Sequence, residues 1–234
     1  GLFGAMSRAA VISGLAVLLA AGTGIVLSVE RHEAATRRNW LDRLVATADE
    51  RRAAIGEYLD ERLEDAAVFA AFPSLREAAA SVEGPSRERI VRHLAEVLES
   101  GRRRWDNRTL AVLDRSLSDV IAVGEPVSPE VREVLRSGPE GRRAAFVRTP
   151  AGARLVFAAP VEAPDGTTGS GWLLIVDDAA LHLWPLLLRE PAATRTGEVF
   201  LVRENAGAIE FLSPLRKLEQ GEEPPRLPVG STAI

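Results

Sequence analysis

Cysteine is absent from this chain. That removes disulfide frameworks, thiol nucleophiles and thiolate metal sites from consideration. Lysine occurs once, at Lys217, and tyrosine once, at Tyr58; the other basic side chains are arginines. The three histidines, His32, His93 and His182, fall on separate segments and lack a metal-ligand spacing. The net charge is −4, so there is no basic excess and nucleic acid is not an expected partner. No Ser-His-Asp set has positional support. Gly22-Thr23-Gly24 is not a nucleotide loop, because no strand precedes it. These patterns assign no catalytic residue, no cofactor and no metal.

What the chain does have is one long apolar run. Residues 9–29, AAVISGLAVLLAAGTGIVLSV, carry neither charge nor proline. At about 1.5 Å per residue the run is long enough to cross the ~30 Å hydrocarbon core of a bilayer. Arg8 precedes it and Glu30-Arg31 follows it, so it stops sharply at both ends. It exceeds the ~7–15 residues of a signal-peptide core and lacks small residues at a cleavage position. A retained transmembrane helix is therefore expected. Arg8 favours an inside N-terminus, while Arg31, Arg37 and Arg38 argue the reverse, so charge leaves the orientation open. The chain opens on Gly1, its one methionine is Met6, and no second apolar run follows. It reads as a piece of a longer protein or as one whose natural start is Met6.

Residues 30–72 predict a long helix. Leu41, Leu44, Val45, Ala48, Ile55, Leu59, Leu63, Ala66, Phe69 and Ala70 recur at spacings of three and four, and Arg and Glu fill the other faces. Pro73 is placed to end it. Unbroken from the apolar run, such a helix would extend roughly 90 Å. Residues 86–100 predict a second helix, with Ser86 as cap and Gly101 as stop. The period then shortens. TLAVL (109–113) and DVIAV (119–123) read as strands, and 128–136 as a helix capped by Ser128 with Pro129 at its first position. Strands are expected at 144–148 and 154–159. Residues 164–169 form a hairpin signal before the buried strand GWLLIV (171–176). A short helix at 179–188 has Asp177 or Asp178 as its cap and Pro185 disturbing it. A further hairpin pairs 197–202 with 208–212, and the Pro-rich 222–228 reads as a loop. Antiparallel strands with helices gathered on one side define an α+β class with a PAS-like sheet.

Three stretches carry a resemblance: EYLDERLEDAAVFAAFPSL (57–75), GWLLIVDDAALHLWPLLL (171–188) and TGEVFLVRENAGAIEFLSPLR (196–216). In that order and spacing they resemble the extracytoplasmic double Cache sensor region of bacterial transmembrane signalling receptors. The resemblance implies a cytoplasmic N-terminus at 1–8, a transmembrane helix at 9–29, and a stalk and second helix over 30–105. It further implies a membrane-distal PAS-like module at 106–190 and the start of a membrane-proximal module at 191–234. Residues after 29 would be periplasmic or extracellular, with the span in the inner membrane.

The implied function is ligand sensing for a signal-transduction receptor, as in a sensor histidine kinase of a two-component system whose output domain lies beyond this sequence. A diguanylate cyclase or a chemotaxis receptor is the alternative output. A membrane-anchored enzyme with its active site elsewhere is the alternative class. The amino-acid-binding members of this family use an Arg-x-Trp element with surrounding tyrosines and aspartates. Arg103 and Trp105 stand at that spacing and are the candidate ligand contacts, although the one tyrosine, Tyr58, lies on the stalk helix. The expected partners are a small molecule (a carboxylate, an amino acid or an amine), the membrane, and a second copy of the chain packed along the stalk.

Overall fold

The computed structural model describes residues 2–80, 85–138, 141–163, 169–188, 199–213 and 227–228, with backbone only at 2–31, 34, 80 and 85–87. The chain divides into two units, Gly1–Glu50 and Arg51–Ile234.

Helix α1, Leu2–Ala70, is continuous and contributes to both units. The predicted span at 9–29 is helical along its backbone, and its side chains lie outside the described residues. Among the described residues no helix is long and apolar enough to cross a membrane. The apolar stripe of α1 has two fates. In the first unit Trp40, Leu41, Leu44 and Val45 are exposed, whereas in the second unit Ile55, Ala66 and Ala70 are buried in a core. A helix that is hydrophobic on one stripe must bury that stripe, and among the described residues the part in the second unit does so.

Two helix boundaries differ from expectation. Helix α1 stops at Ala70, and Pro73 opens helix α2, Pro73–Ala80, rather than merely closing its predecessor. Proline suits a first helical position because the amide hydrogen it lacks would have no partner there. Helix α3, Pro85–Trp105, passes through Gly101 instead of ending at it. The stop comes at Asp106, which adopts φ 54°. The Asn107 N–H then donates to the Arg102 carbonyl at 3.1 Å, the bond of a Schellman cap. Gly101 serves packing: a Cβ there would lie 2.8 Å from the Trp105 ring. The Ser86 side chain, the expected cap of α3, lies outside the described residues.

Five strands follow: β1 Thr109–Asp114, β2 Asp119–Gly124, β3 Arg143–Thr149, β4 Gly152–Val161 and β5 Gly171–Asp178. They form one antiparallel sheet of order β2-β1-β5-β4-β3. Chain ends β1 and β5 thus pair at its centre, with Ala111 opposite Leu174. The expected hairpin turn, 164–169, lies outside the described residues except at Gly169, and the strands that flank it pair as expected. Helix α4, Pro129–Ser137, sits between β2 and β3 in the chain. After β5 come α5, Ala179–His182, and α6, Trp184–Leu188. The single helix expected there is split at Leu183, because Pro185 has no N–H to continue the ladder.

The central strands are apolar on both faces, and each face has its own cover. Leu110, Val112, Phe157, Leu173 and Ile175 pack with Ile55 and Ala66 of α1, Leu75 of α2, Leu94 and Leu98 of α3, and Ala179 of α5. Ala111, Leu113, Val156, Ala158, Leu174 and Val176 pack with Val127 and with Val131 and Leu135 of α4. Helices are therefore not gathered on one side: α4 covers the second face. Continuous apolar strands such as LVFAA and WLLIV require that, since alternating inward and outward residues are equally hydrophobic.

A second sheet contains β6 Val202–Asn205, β7 Ala208–Phe211 and β8 Leu227–Pro228. Ala206 (φ 52°) and Gly207 (φ 76°) make the turn between β6 and β7, both with the positive φ that a tight hairpin demands. Leu227 and Pro228, expected in a loop, instead pair with β7. Proline is tolerated there because the strand lies at a sheet edge.

Candidate functional site

Helix α4 is defined by its own ends. Ser128 has extended backbone, and its hydroxyl accepts from the Val131 N–H at 3.4 Å. Pro129 occupies the first position, as its sequence context predicts. The hydrogen bond to Ser128, and then the helix backbone, hold the Glu130 carboxyl below its usual range. At the other end Arg143 of β3 donates to the Val134 carbonyl at 3.1 Å and to the Leu135 carbonyl at 3.4 Å. The same guanidinium lies over the Trp172 ring at 4.5 Å, and burial lowers its pKa. An arginine placed against the last carbonyls complements the helix dipole.

Between the start of α4 and the β3–β4 turn lies a cavity of about 330 Å³. Pro126, Val127, Val131, Pro150 and Val176 make its apolar wall. Its polar wall comprises Thr109, Glu125, Ser128, Thr149 and Arg154. The Thr109 hydroxyl is committed to the Glu125 carbonyl at 2.8 Å, which fixes the loop entering α4. Arg154 is the feature that sets the chemistry, because an arginine only 5% exposed on a central strand must be paired.

The pairing is a ring of four charges. Arg154 Nη2 donates to Glu125 Oε2 at 3.2 Å and to the Ala151 carbonyl at 3.2 Å. Arg154 Nη1 stands 3.4 Å from Asp178 Oδ2. That same oxygen accepts from Arg108 Nη2 at 2.9 Å and Nε at 3.2 Å, and Arg108 Nη1 is 4.0 Å from Glu125 Oε1. Asp178 Oδ1 accepts from the Ala180 N–H at 2.9 Å and so caps α5. Burial would raise the Asp178 pKa. The Ala180 N–H, the Arg108 hydrogen bonds and the charges of Arg154 and Arg108 outweigh it and lower the pKa. A carboxylate can compete for the Arg154 fork, and an ammonium can compete for Glu125. The cavity therefore suits a small molecule with an apolar body and at least one charged group.

On the opposite face of β5, Asp177 is fully buried. It accepts from the Tyr58 hydroxyl at 2.7 Å and from the Asn107 side-chain amide, and Arg62 Nε stands 3.7 Å away. Neighbouring aspartates thus serve two faces, as alternate strand residues must.

Arg103 and Trp105, the sequence candidates, lie at the end of α3. The Arg103 side chain is 74% exposed and its Nε donates to Glu99 Oε1 at 2.6 Å. Hydrogen bonds from Arg102 and then Arg103 draw the Glu99 pKa down to about 2. The Trp105 ring meets Phe69 edge-to-face at 5.1 Å and fills the space above Gly101. The two side chains face different neighbours, and the cavity beneath α4 is walled by other residues. Arg154, Arg108 and Glu125 were not among the sequence candidates. One usable signal was Arg154 opening the apolar run LVFAA, where a charge implies a buried partner. Among the described residues no group of acids and histidines can hold a metal.

No family model matches this chain, and no curated protein matches it. Solved sensor domains do resemble it. The sensor domain of the V. cholerae histidine kinase DctB is 12% identical, over 65% of this chain and 61% of that one, with a TM-score of 0.48. The ligand-binding domain of the Campylobacter jejuni chemoreceptor Tlp3, in complex with L-norvaline, is 12% identical over 68% and 64%, with a TM-score of 0.44. A domain of a sensory box/GGDEF family protein from Vibrio parahaemolyticus is 14% identical over 62% of each chain, with a TM-score of 0.42. The chain spans a little over three fifths of the length of the first two.

Proposed function

We propose that this chain is the ligand-sensing region of a membrane-anchored signalling receptor, and that its ligand occupies the cavity beneath α4. The observation that carries the reading is the buried Arg154, whose guanidinium stands in the wall of a largely apolar cavity on a PAS-like sheet. Such a wall recognises a carboxylate-bearing small molecule, and Glu125 beside it extends the class to amino acids and amines.

The rest of the reading follows the apolar run. Residues 9–29 anchor the chain in the inner membrane, with the N-terminus cytoplasmic and the later residues outside. The second sheet begins a membrane-proximal module. A second span and an output domain, foremost a histidine kinase, stand further along the reading frame; a cyclase or chemotaxis domain there would change the output but not the input. Two copies pack along Leu41, Leu44 and Val45, which are exposed in the single chain. Because the chain has no cysteine, Leu41→Cys or Leu44→Cys gives a unique crosslinking site, and failure to crosslink would remove the dimer.

The test is thermal stability of the full chain in detergent against L-amino acids, dicarboxylates and amines. A ligand raises the midpoint, by about 2.7 kcal/mol equivalent at a hundredfold excess over Kd. Arg154→Gln abolishes that rise. If Arg103→Ala abolishes it and Arg154→Gln does not, the ligand sits at the end of α3, with Arg103 and Trp105. If no compound moves the midpoint, the sensing reading loses its support.

A further inference from the structure

Tyr58 of α1 is held from two directions, and both holds start at the same strand end. Its hydroxyl donates to Asp177 at 2.7 Å. Its ring stacks on His182, with centroids 6.3 Å apart and planes at 11°. His182 belongs to α5, whose first turn is capped by Asp178. One turn along α1, Arg62 approaches Asp177 at 3.7 Å and covers the Tyr58 ring at 5.7 Å. Asp178 also pairs with Arg154 in the cavity wall.

We propose that the Asp177–Asp178 pair couples occupancy of the cavity beneath α4 to the segment of α1 around Tyr58 and Arg62. The inference rests on the reading of that cavity as a ligand site. A ligand shifts an equilibrium only if it interacts differently with two arrangements. Arg154 provides the difference: it pairs with Asp178, and an anionic group in the cavity competes for the same guanidinium. Once Arg154 turns to the ligand, Asp178 keeps only Arg108 and the Ala180 N–H. The end of β5 and the first turn of α5 then readjust together. Asp177 moves with the strand and His182 with the helix, so both holds on Tyr58 change at once. Asp177 is fully buried, so no solvent cushions the displacement.

Amide hydrogen exchange of the full chain tests the route. Arg154→Gln cuts the pair as ligand capture does. It is expected to speed exchange of α1 amides over 58–66 by about fivefold or more, the low end of measured site-to-site couplings. In a Tyr58→Phe background the same change adds less, because the hydroxyl hold is already gone and only the ring stack on His182 is left to loosen. Arg136→Gln, which alters the exposed face of α4 outside the cavity, leaves α1 at the wild-type rate. Asp178→Asn retains a capping oxygen and is expected to act as Arg154→Gln does, should that variant not fold. Wild-type exchange over 58–66 in the folded variant, or an equal effect of Arg136→Gln, overturns the proposal. Acetate, used as a minimal carboxylate, separates the two ideas. If acetate raises the thermal midpoint through Arg154 but leaves α1 exchange unchanged, the coupling fails and the ligand site stands. If Arg154→Gln loosens α1 but acetate does not bind, the coupling stands and the ligand class fails.

Discussion

The hydroxyl of Tyr58 lies 2.7 Å from Oδ2 of Asp177, across 119 residues of chain. The pair ties α1 to the last strand of the central sheet. Burial, then the Asp177 charge, then the hydrogen bond to it raise the Tyr58 pKa; the Arg62 charge opposes them only partly.

Because Tyr58 is the one tyrosine, tyrosinate absorbance reads it alone. The folded chain is expected to titrate above the usual phenol value of about 10. Asp177→Asn removes the second-largest cause and brings the midpoint down, though not all the way, since burial remains. The sign for stability follows. A raised pKa favours the protonated form in the folded state, so this contribution is complete below about pH 10 and falls as pH rises above it. A midpoint at the free-phenol value would show that Tyr58 does not face Asp177.

Removing the acid itself is costly. Asp177→Ala leaves the Tyr58 hydroxyl and the Asn107 amide without their acceptor in a buried setting. The expected loss is about 2–6 kcal/mol in denaturant unfolding, since each of the two orphaned buried donors costs about 1–3 kcal/mol. Tyr58→Phe, which removes only one partner, is expected to cost about 1 kcal/mol. Equal, small effects from both would deny that Asp177 is the hub.

The acid limb of stability points to the other aspartate. Asp178 is lowered in the folded chain, so it adds stability above its unfolded value of about 3.9 and loses it as pH falls through the lower folded value. Acid unfolding below about pH 4 is therefore expected to be less steep in Asp178→Asn than in the wild type. The variant should also start from lower stability at neutral pH. Parallel acid limbs in the two proteins would contradict the Arg108–Asp178–Arg154 pairing.

How much of this was legible in the sequence depended on the range of the interaction. Strand positions in the central sheet followed from short apolar runs, and Ser128-Pro129 announced the start of α4, because caps and periods are local; β6 instead falls at Val202–Asn205, at and beyond the end of the apolar run 197–202 expected to form it. The double cover of the sheet is present in LVFAA and WLLIV, runs apolar at every residue, but the sequence does not say that α4 crosses to the second face. Loop residues 227–228 became a strand because β7 offered an edge, which no window on the Pro-rich segment contains. The site was the least legible part. Arg-x-Trp at 103–105 is a local spacing and so was visible, whereas the charges around the cavity are brought together by tertiary pairing. Arg154, Asp178, Arg108 and Glu125 meet only when β1, β4 and β5 pair and the β2–α4 loop closes over them.

Gly101 offers a last and discriminating case, because two effects oppose one another there. In mid-helix, alanine is favoured over glycine by about 1 kcal/mol. Against that, a Cβ at 101 would stand 2.8 Å from Cζ3 of Trp105, whose ring already meets Phe69 at 5.1 Å. Overpacking of a fixed ring costs about 1–3 kcal/mol, so the clash is expected to win and Gly101→Ala to destabilise the chain. Trp105→Leu removes the ring. In that background the same Gly101→Ala change should become stabilising by the helix-propensity term, and the double-mutant cycle isolates the contact. If Gly101→Ala stabilises the wild-type chain, the Trp105 ring is free to move. It would then be available to cover a ligand at the end of α3, and the choice between that site and the Arg154 cavity would turn toward the former.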